Sequence, residues 1–452
     1  MSHIGFYGGT GSVTGANFLI SVGETNFLID CGMIQGGREG FEKNREPFGY
    51  DPKTIHTLFI THPHADHIGR IPKLVREGFR GEIISTIPAQ DLSAVMLRDA
   101  FRVMRMEASR NKTELLYEEA DVEKALTLWR GVEYKEEITL PEGVTAHLTD
   151  AGHILGSAIV HLKRNGKELV GTGDIGNVPQ PLMNSPEIPK GYDYMIMESV
   201  YGNRKHEGVE ERSELLKSYI LDTQKKGGTL IIPAFSLERT QAMLLEINNF
   251  IENGDIEPIP VFLDSPLAIS VTEIYRSHSK YFKDSVRAQI EGGDDIFDFP
   301  GLSFTETVKD SAQISRTKGA KVIIAGSGMS HGGRILAHEQ HFLGDPSTTL
   351  LLVGYQAVGT LGRLLHDGST KVTIDGKKVR VRARIGSIDG YSGHADRDQL
   401  VNFVAEGAKK ESKIFVTMGE EKASLFLVQR LRDYLGVDAR APEKGEVVEI
   451  DF

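Results

Sequence analysis

Along the first two hundred residues, short apolar runs alternate with Gly-rich polar turns: "GANFLISV", "TNFLIDCG", "TIHTLFITH", "GEIIST", "VTAHLTDAGHI", "SAIVHLKRNGKELVGTGD" and "YDYMIMES". Runs of this length between turn residues predict strands. Between residues 90 and 130 the spacing changes, and "LSAVMLRDAFRVMRM" places apolar side chains three and four apart, as a helix does. From about residue 207 the pattern changes again. "VEERSELLKSYILDTQKKGG" predicts a helix that ends in lysines and glycines. "TLIIPAFS" follows as a buried strand, "LERTQAMLLEINNFIENG" as a helix, and "IPVFLD", "KVIIAGSG" and "TLLLVG" as further strands. Alternating strands and helices imply a mostly parallel sheet with helices on its faces. After residue 366 a period of two returns in "KVTIDGKKVRVRARI", with "DG" as a hairpin turn. The order strand-rich, alternating, strand-rich predicts an α/β protein with one domain inserted into another.

A chain of 452 residues exceeds a single small core. Hydrophobic content of 40% and charged content of 25% exclude a disordered chain. Cys31 is the single cysteine, so no intramolecular disulfide forms and a reducing cytoplasm is the natural setting. The start "MSHIGFYGGTGSVTGANFLI" lacks the pattern of a signal peptide, and no apolar run approaches the ~18 residues that span a bilayer. A soluble, cytoplasmic protein without a membrane partner is expected. The net charge of −11 argues against tight nonspecific nucleic-acid binding. It does not argue against phosphate chemistry, because carboxylates beneath bound metal ions contribute to it.

The chemistry concentrates in "FITHPHADHIG", residues 59 to 69, where His62, His64, Asp66 and His67 fall within six positions. Imidazole and carboxylate without thiolate suit zinc and its neighbours. A lone loop histidine is usually only solvated, but four ligand-type side chains in this pattern are not. His62 and His64 share one side of an extended segment. Asp66 and His67 lie where the chain turns into "IGRIPKLVREG", and can face a second ion. Further candidates are His153 in "TDAGHILGSA", Asp174 at the strand end in "LVGTGDIGN" and His394 in "GYSGHADRDQL". "GSGMSHGGR", residues 326 to 334, offers backbone N–H groups ahead of a helix, a phosphate cradle involving Ser327, Gly328 and Arg334. Other features take a plainer reading. "GGTGSVTG" is a turn, "HEQH" at 338 to 341 is helix surface, and His331 is solvated. Arg380, Arg382 and Arg384 alternate along one strand as a solvated face, with a basic stripe toward His394 as the alternative.

Asp30 in "LIDCG", followed by "THPHADH", His153 and Asp174, resembles the metallo-β-lactamase superfamily. The later segments resemble its β-CASP branch, the RNA-processing nucleases that include RNase J and the endonuclease subunit of the cleavage and polyadenylation specificity factor. Glu198 in "MESVYGNR" matches the branch's first motif, His366 in "GYQAVGTLGRLLHDG" the second and His394 the third, and "DSPLA" and "GSGMSHGGRIL" are also similar. Where many relatives have "VHGE", this chain has "VTMGEEKA", with Met418 at the histidine position.

The resemblance implies a metallo-β-lactamase αββα sandwich carrying an inserted Rossmann-like β-CASP domain, with parts at 1–203, 204–365 (the insert) and 366–452. No further module is read before or after these parts, which matches the short prokaryotic type. It implies two divalent metal ions, zinc first and manganese as the alternative. His62, His64 and His153 would hold one ion, Asp66, His67 and His394 the other, and Asp174 would bridge them. Asp30 would orient a ligating histidine. His366 would protonate the leaving oxygen, with Glu198 holding that imidazole. The implied reaction is hydrolysis of RNA phosphodiester bonds by a metal-bridged hydroxide, leaving 5′-phosphate and 3′-hydroxyl ends. RNA is the implied partner, and a homodimer is compatible. The alternatives are a DNA nuclease of the same branch, disfavoured by histidine at the third motif, and a scaffold subunit without activity, disfavoured by the complete ligand set.

Overall fold

In the strand Asn17–Val22, Phe18, Ile20 and Val22 enter one buried cluster and Leu19 another. In Thr25–Ile29, Phe27 and Ile29 join the first cluster and Leu28 the second. Successive strand side chains point to opposite faces, and here both faces are covered. That is why these segments read as unbroken apolar runs rather than as apolar–polar alternation.

The structure, a computed structural model, describes residues 1–206, 211–354, 356–357 and 359–452. Two units divide it: Met1–Gln180, Asn184–Lys205 and His394–Phe452 form the first, Pro181–Met183 and His206–Gly393 the second. No helix among the described residues is long and apolar enough to cross a membrane.

The first unit contains two seven-stranded sheets. One runs in the order Val447–Ile450, Ser2–Gly8, Asn17–Val22, Thr25–Ile29, Ile55–Phe59, Glu82–Thr86, Trp129–Val132. The other runs Asp438–Arg440, Lys413–Val416, Tyr194–Met197, Lys167–Gly171, Ala158–Arg164, Thr145–Asp150, Ile138–Thr139. Between them lie Ile4, Phe6, Phe27 and Phe59 from one sheet and Leu148, Val160, Leu162 and Phe415 from the other. Helices Ile71–Arg76, Ile87–Asn111 and Glu119–Thr127 cover the first sheet through Leu74, Leu97 and Val122. Helices Arg397–Gly407 and Glu421–Leu435 cover the second through Phe403 and Leu427. This is the αββα sandwich. The long helix starts where Thr86 accepts a hydrogen bond from the Ala89 N–H and Pro88 occupies the first turn, a start in which proline costs nothing.

The second unit holds a six-stranded sheet in the order Leu302–Phe304, Val261–Leu263, Lys321–Ala325, Thr229–Pro233, Thr349–Val353, Arg384–Ile388. All of its pairings are parallel, as strand–helix alternation requires. The helix expected from Val209 is Arg212–Lys226; Val209 and Glu210 lie outside the described residues. Asp375 and Gly376 form the expected two-residue hairpin turn between Lys371–Ile374 and Lys377–Arg380, both with positive φ (47° and 79°), the geometry of a type I′ turn.

Here the structure departs from the division at residue 366. Val372 and Ile374 of the hairpin bury their side chains among Ile323, Leu350 and Leu365 of the second unit. Arg384–Ile388 then pairs with Thr349–Val353 as the last strand of its sheet. A period of two marks a half-buried strand but not which core buries it. The three arginines are likewise not on one strand. One strand ends at Arg380 and the next begins at Arg384, and between them the N–H groups of Arg382 and Ala383 both donate to the Leu343 carbonyl.

"HEQH" lies on the helix Ile335–Phe342, but His338 is buried rather than solvated. Its Nε2 lies 2.6 Å from Oδ2 of Asp264, itself fully buried. Asp264 also accepts from Ser311 Oγ at 2.5 Å, Thr305 Oγ1 at 2.7 Å and Arg334 Nη1 at 2.6 Å. Burial opposes the Asp264 charge, but His338, Ser311, Thr305 and Arg334 outweigh it and lower the pKa from 3.8 to about 2. A carboxylate depressed in this way stabilises the fold above its unfolded pKa and loses that contribution as pH falls through the folded value. Asp264→Asn should therefore destabilise the protein by about 2 kcal/mol at neutral pH, and flatten the loss of stability between about pH 4 and pH 2. Acid titrations of wild type and variant followed by circular dichroism check this; parallel acid limbs would contradict it.

Candidate metal centre

The chemistry-bearing side chains of the first unit sit where strands of both sheets end. Asp30 follows Thr25–Ile29, and Thr61 to His67 follow Ile55–Phe59, the neighbouring parallel strand. His153 follows Thr145–Asp150, Asp174 follows Lys167–Gly171 and Glu198 follows Tyr194–Met197. Backbone hydrogen bonds stitch these loops together. Cys31 N–H donates to the His67 carbonyl (2.8 Å), Ala16 N–H to that of Asp66 (2.9 Å) and Ala158 N–H to that of Thr61 (2.7 Å). His394 is drawn in by its bridge to Gly176 and by Ala395 N–H donating to the Ile175 carbonyl at 2.7 Å. The approach is close enough at Gly32 that a Cβ there would lie 1.5 Å from the Asp66 carbonyl oxygen.

Four donors converge first. His62 Nε2 lies 3.0 Å from His64 Nδ1 and 3.3 Å from Asp174 Oδ2, and His153 Nε2 lies 3.3 Å from His64 Nδ1 and 3.7 Å from Asp174 Oδ2. Ligands at 2.0–2.1 Å around a tetrahedral zinc stand about 3.3 Å apart. The observed spread brackets that value, so this donor set fits a divalent cation. Burial pushes the His62 and His64 pKa values down, and each is lowered further by a neighbouring imidazole, His67 for the one and His62 for the other. Both therefore stand as neutral rings with lone pairs to donate.

Further donors meet Asp174, His67 at its other oxygen and His394 at the same one. His67 Nε2 and Asp174 Oδ1 are 3.4 Å apart, and both atoms are buried without a hydrogen-bond partner. Buried polar atoms are rarely left so. His67 Nδ1 is 2.7 Å from Asp30 Oδ2, which also accepts from Thr61 Oγ1 at 2.8 Å, while Asp30 Oδ1 accepts the Thr61 N–H at 2.9 Å. With Nδ1 donating to Asp30, the Nε2 lone pair faces Asp174. Burial lowers the His67 pKa, but Asp174 and Asp30 outweigh it and hold the imidazole well above its ordinary value. Proton and cation thus compete for one nitrogen. Asp66 is raised by burial and is close enough to feel both His67 and Asp174. His394 Nδ1 lies 3.7 Å from Asp174 Oδ2 and 3.3 Å from Glu198 Oε1; burial lowers its pKa, Glu198 and Asp174 outweigh it, and it rises to about 10. Asp174, Glu198 and His394 form a second group with donor atoms within 4.8 Å of one another.

Glu198 and Arg334 make contacts within their own units. Glu198, expected beside His366, is tied within the first unit to the N–H groups of Ile175 (2.7 Å) and Val200 (3.2 Å) and to His394. His366 belongs to the second unit, half-exposed at the end of the helix Leu361–His366, with Nδ1 3.5 Å from Asp367 Oδ1. Arg334, expected at a phosphate, donates to Asp264 and to the carbonyls of Thr305 (2.8 Å) and Glu306 (2.6 Å). It holds its own loop in place. Ser327 Oγ accepts the His331 N–H at 3.1 Å, and a Cβ on Gly328 would meet the Phe235 ring at 2.6 Å. Thr61 went unread because a threonine beside a histidine carries no sequence signal of its own. The thiol of Cys31 is pushed up to about 12 by burial and offers no nucleophile. A separate group, His147, His161 and Glu168, is a hydrogen-bonded brace: His161 Nδ1 meets Glu168 at 2.7 Å and Nε2 meets Thr149 at 2.9 Å.

Comparison with known proteins agrees with this architecture. Residues 19–186 match the model of the metallo-beta-lactamase superfamily domain, 240–365 that of the Beta-Casp domain, and 378–442 that of the Zn-dependent metallo-hydrolase RNA specificity domain. Ribonuclease TTHA0252 of Thermus thermophilus is 36% identical over 444 residues, covering 98% of this chain and 99% of the relative. The RNase J-like protein of Methanocaldococcus jannaschii is 29% identical over 98% of this chain and 99% of its own length. Transcription termination factor FttA of Methanosarcina mazei is 30% identical over 98% of this chain and 71% of its own. A protein of unknown function from Enterococcus faecalis V583 shares the fold, with a TM-score of 0.58 at 12% identity over 99% of both chains. Domain models and a relative 36% identical over 98% of the chain agree on the family: the chain belongs to the β-CASP branch of the metallo-β-lactamase superfamily.

Proposed function

We propose that this protein is a metal-dependent ribonuclease that hydrolyses RNA phosphodiester bonds at two divalent cations, zinc first and manganese as the alternative. The observation that carries the reading is the pair of donor groups sharing Asp174, one completed by His62, His64 and His153, the other containing the partnerless His67 Nε2 and Asp174 Oδ1. One carboxylate placed between two sets of imidazoles suits a bridge between cations. When bound, such cations lower the pKa of a water from 15.7 to about 7 and neutralise charge developing on phosphate. The relatives named as ribonuclease and as RNase J-like support RNA as the substrate.

The remaining work falls to the chain itself. Asp30 fixes the tautomer of His67 and Thr61 fixes Asp30, so the donor nitrogens hold their direction before substrate arrives. Glu198 holds His394 in the same way. Asp66 and His394 complete the second donor set in this reading. His366 is assigned the proton for the departing 3′ oxygen, on the match of its segment to the branch's second motif. Water is then the attacking group and the 2′-hydroxyl takes no part in bond breaking.

The products should carry 5′-phosphate and 3′-hydroxyl ends. Mass spectrometry of fragments from a defined RNA reads this directly, and 2′,3′-cyclic phosphate ends from metal-replete protein would overturn the mechanism. His366 is assigned to neither donor set, so His366→Ala should keep its metal content and lose rate by ~10²–10⁴-fold, as for a lost general acid. Elemental analysis alongside single-turnover rates separates the two effects; a variant depleted of metal would show that His366 is a ligand instead.

A further inference from the structure

Outside the donor groups, the first unit carries a strip of aromatic rings and guanidinium groups. It starts at the centre, where the Tyr201 ring lies 6.1 Å from that of His394. Arg204 places its guanidinium carbon 4.4 Å from the Tyr201 ring centroid. The Arg204 carbonyl accepts the Arg397 N–H at 3.0 Å. Arg397 opens the helix Arg397–Gly407, which packs against Glu421–Leu435. The Arg397 pKa is raised, first by its hydrogen bond to Asp398, and the group also feels the Tyr434 hydroxyl on that second helix. There Phe426, Arg430 and Tyr434 are four residues apart and so share a face. Arg430 lies over both rings, 5.3 Å from the Phe426 centroid and 4.9 Å from that of Tyr434.

These side chains are not needed by the core. The buried stripe of Glu421–Leu435 is Ala423, Ser424, Leu427, Val428 and Leu431, while Tyr434 is 68% exposed. Surface cation–π pairs often do no more than stiffen a helix. One guanidinium between two rings, one of them largely exposed, is more than stiffening needs. Arg430 also makes no ion pair among the described residues. Arg204 and Arg430 each lie beside an aromatic ring, while Arg397 is paired with Asp398 at 2.7 Å.

We propose that Tyr201, Arg204, Arg397, Tyr434, Arg430 and Phe426 form a binding track for single-stranded RNA leading away from the metal centre. The proposal rests on the ribonuclease reading and goes beyond it, placing substrate contacts on a surface remote from bond cleavage. Aromatic rings accept the face of any base, and arginines beside them take phosphate charge, so the track is tolerant of sequence. From Phe426 to Tyr434 the helix advances about 12 Å, which makes this an extended platform rather than a single pocket. The match of residues 378–442 to an RNA specificity domain model covers the four positions on the two helices.

The test compares wild type with Arg430→Gln and with the double variant Phe426→Ala/Tyr434→Ala, all metal-loaded. Substrates are an unstructured RNA of about 16 nucleotides and the small diester bis-p-nitrophenyl phosphate. The double variant should raise KM for the RNA about tenfold, at unchanged kcat and unchanged turnover of the small diester. Arg430→Gln should lower the salt dependence of log KM by about 0.7 for one lost phosphate contact. Tyr434→Phe should behave as wild type, since the ring is kept. An unchanged KM for RNA in the double variant, or an equal loss on both substrates, overturns the track. A wild type that turns over the small diester and leaves RNA intact overturns the ribonuclease reading itself.

Discussion

Asp30 holds three donors at once, the N–H and hydroxyl of Thr61 and the Nδ1 of His67, and it is buried with them. Leaving buried donors without a partner costs about 1–3 kcal/mol each, so this carboxylate fixes where the histidine loop sits. Its own position follows from the sheet. The strands before Asp30 and Thr61 are parallel neighbours, with Ile29 opposite Phe59, and so end side by side. Everything in the centre follows from that register. His62 and His64 leave on one side of the loop, His67 turns back to Asp30, and Asp174 arrives from the second sheet to face both sets.

The cost of such a site is electrostatic. Five imidazoles and several carboxylates crowd together at strand ends, most of them buried, where an isolated charge would be strongly disfavoured. Burial keeps His62 and His64 neutral, while two carboxylates raise His67 and two raise His394. Asp174 is held well below its ordinary value because His67, His62 and His394 outweigh its burial. An ionised carboxylate flanked by the neutral rings of His62 and His64 on one hand and by the raised imidazoles of His67 and His394 on the other is prepared to exchange those protons for a cation. That preparation distinguishes the centre from the Asp264 network of the second unit, whose carboxylate is already matched by an arginine and a histidine.

Much of this was legible in the sequence, for identifiable reasons. Runs such as "NFLISV" and "TNFLI" are strands because apolar residues on both faces serve two cores, and "DG" at 375 to 376 is a turn because both residues accept positive φ. The cluster of His62, His64, Asp66 and His67 was visible because ligand-type residues so close together have few other uses. What escaped was partner identity. The period of two in "KVTIDGKKVRVRARI" does not say that Val372 and Ile374 pack among the residues of the inserted unit. Nothing local to Arg334 or His338 announces a buried aspartate seventy residues earlier. Glu198 reads as a motif carboxylate, and only the fold shows His394 as its partner.

The central claim is that Asp174 joins two donor sets into one two-cation site, and the most direct test counts the ions. Protein stripped with chelator, reloaded with zinc and freed of excess metal should contain two ions per chain by elemental analysis. Asp174→Ala, folded by circular dichroism, should lose most of that content. One ion or none in fully active wild type, or two retained by Asp174→Ala, would contradict the account.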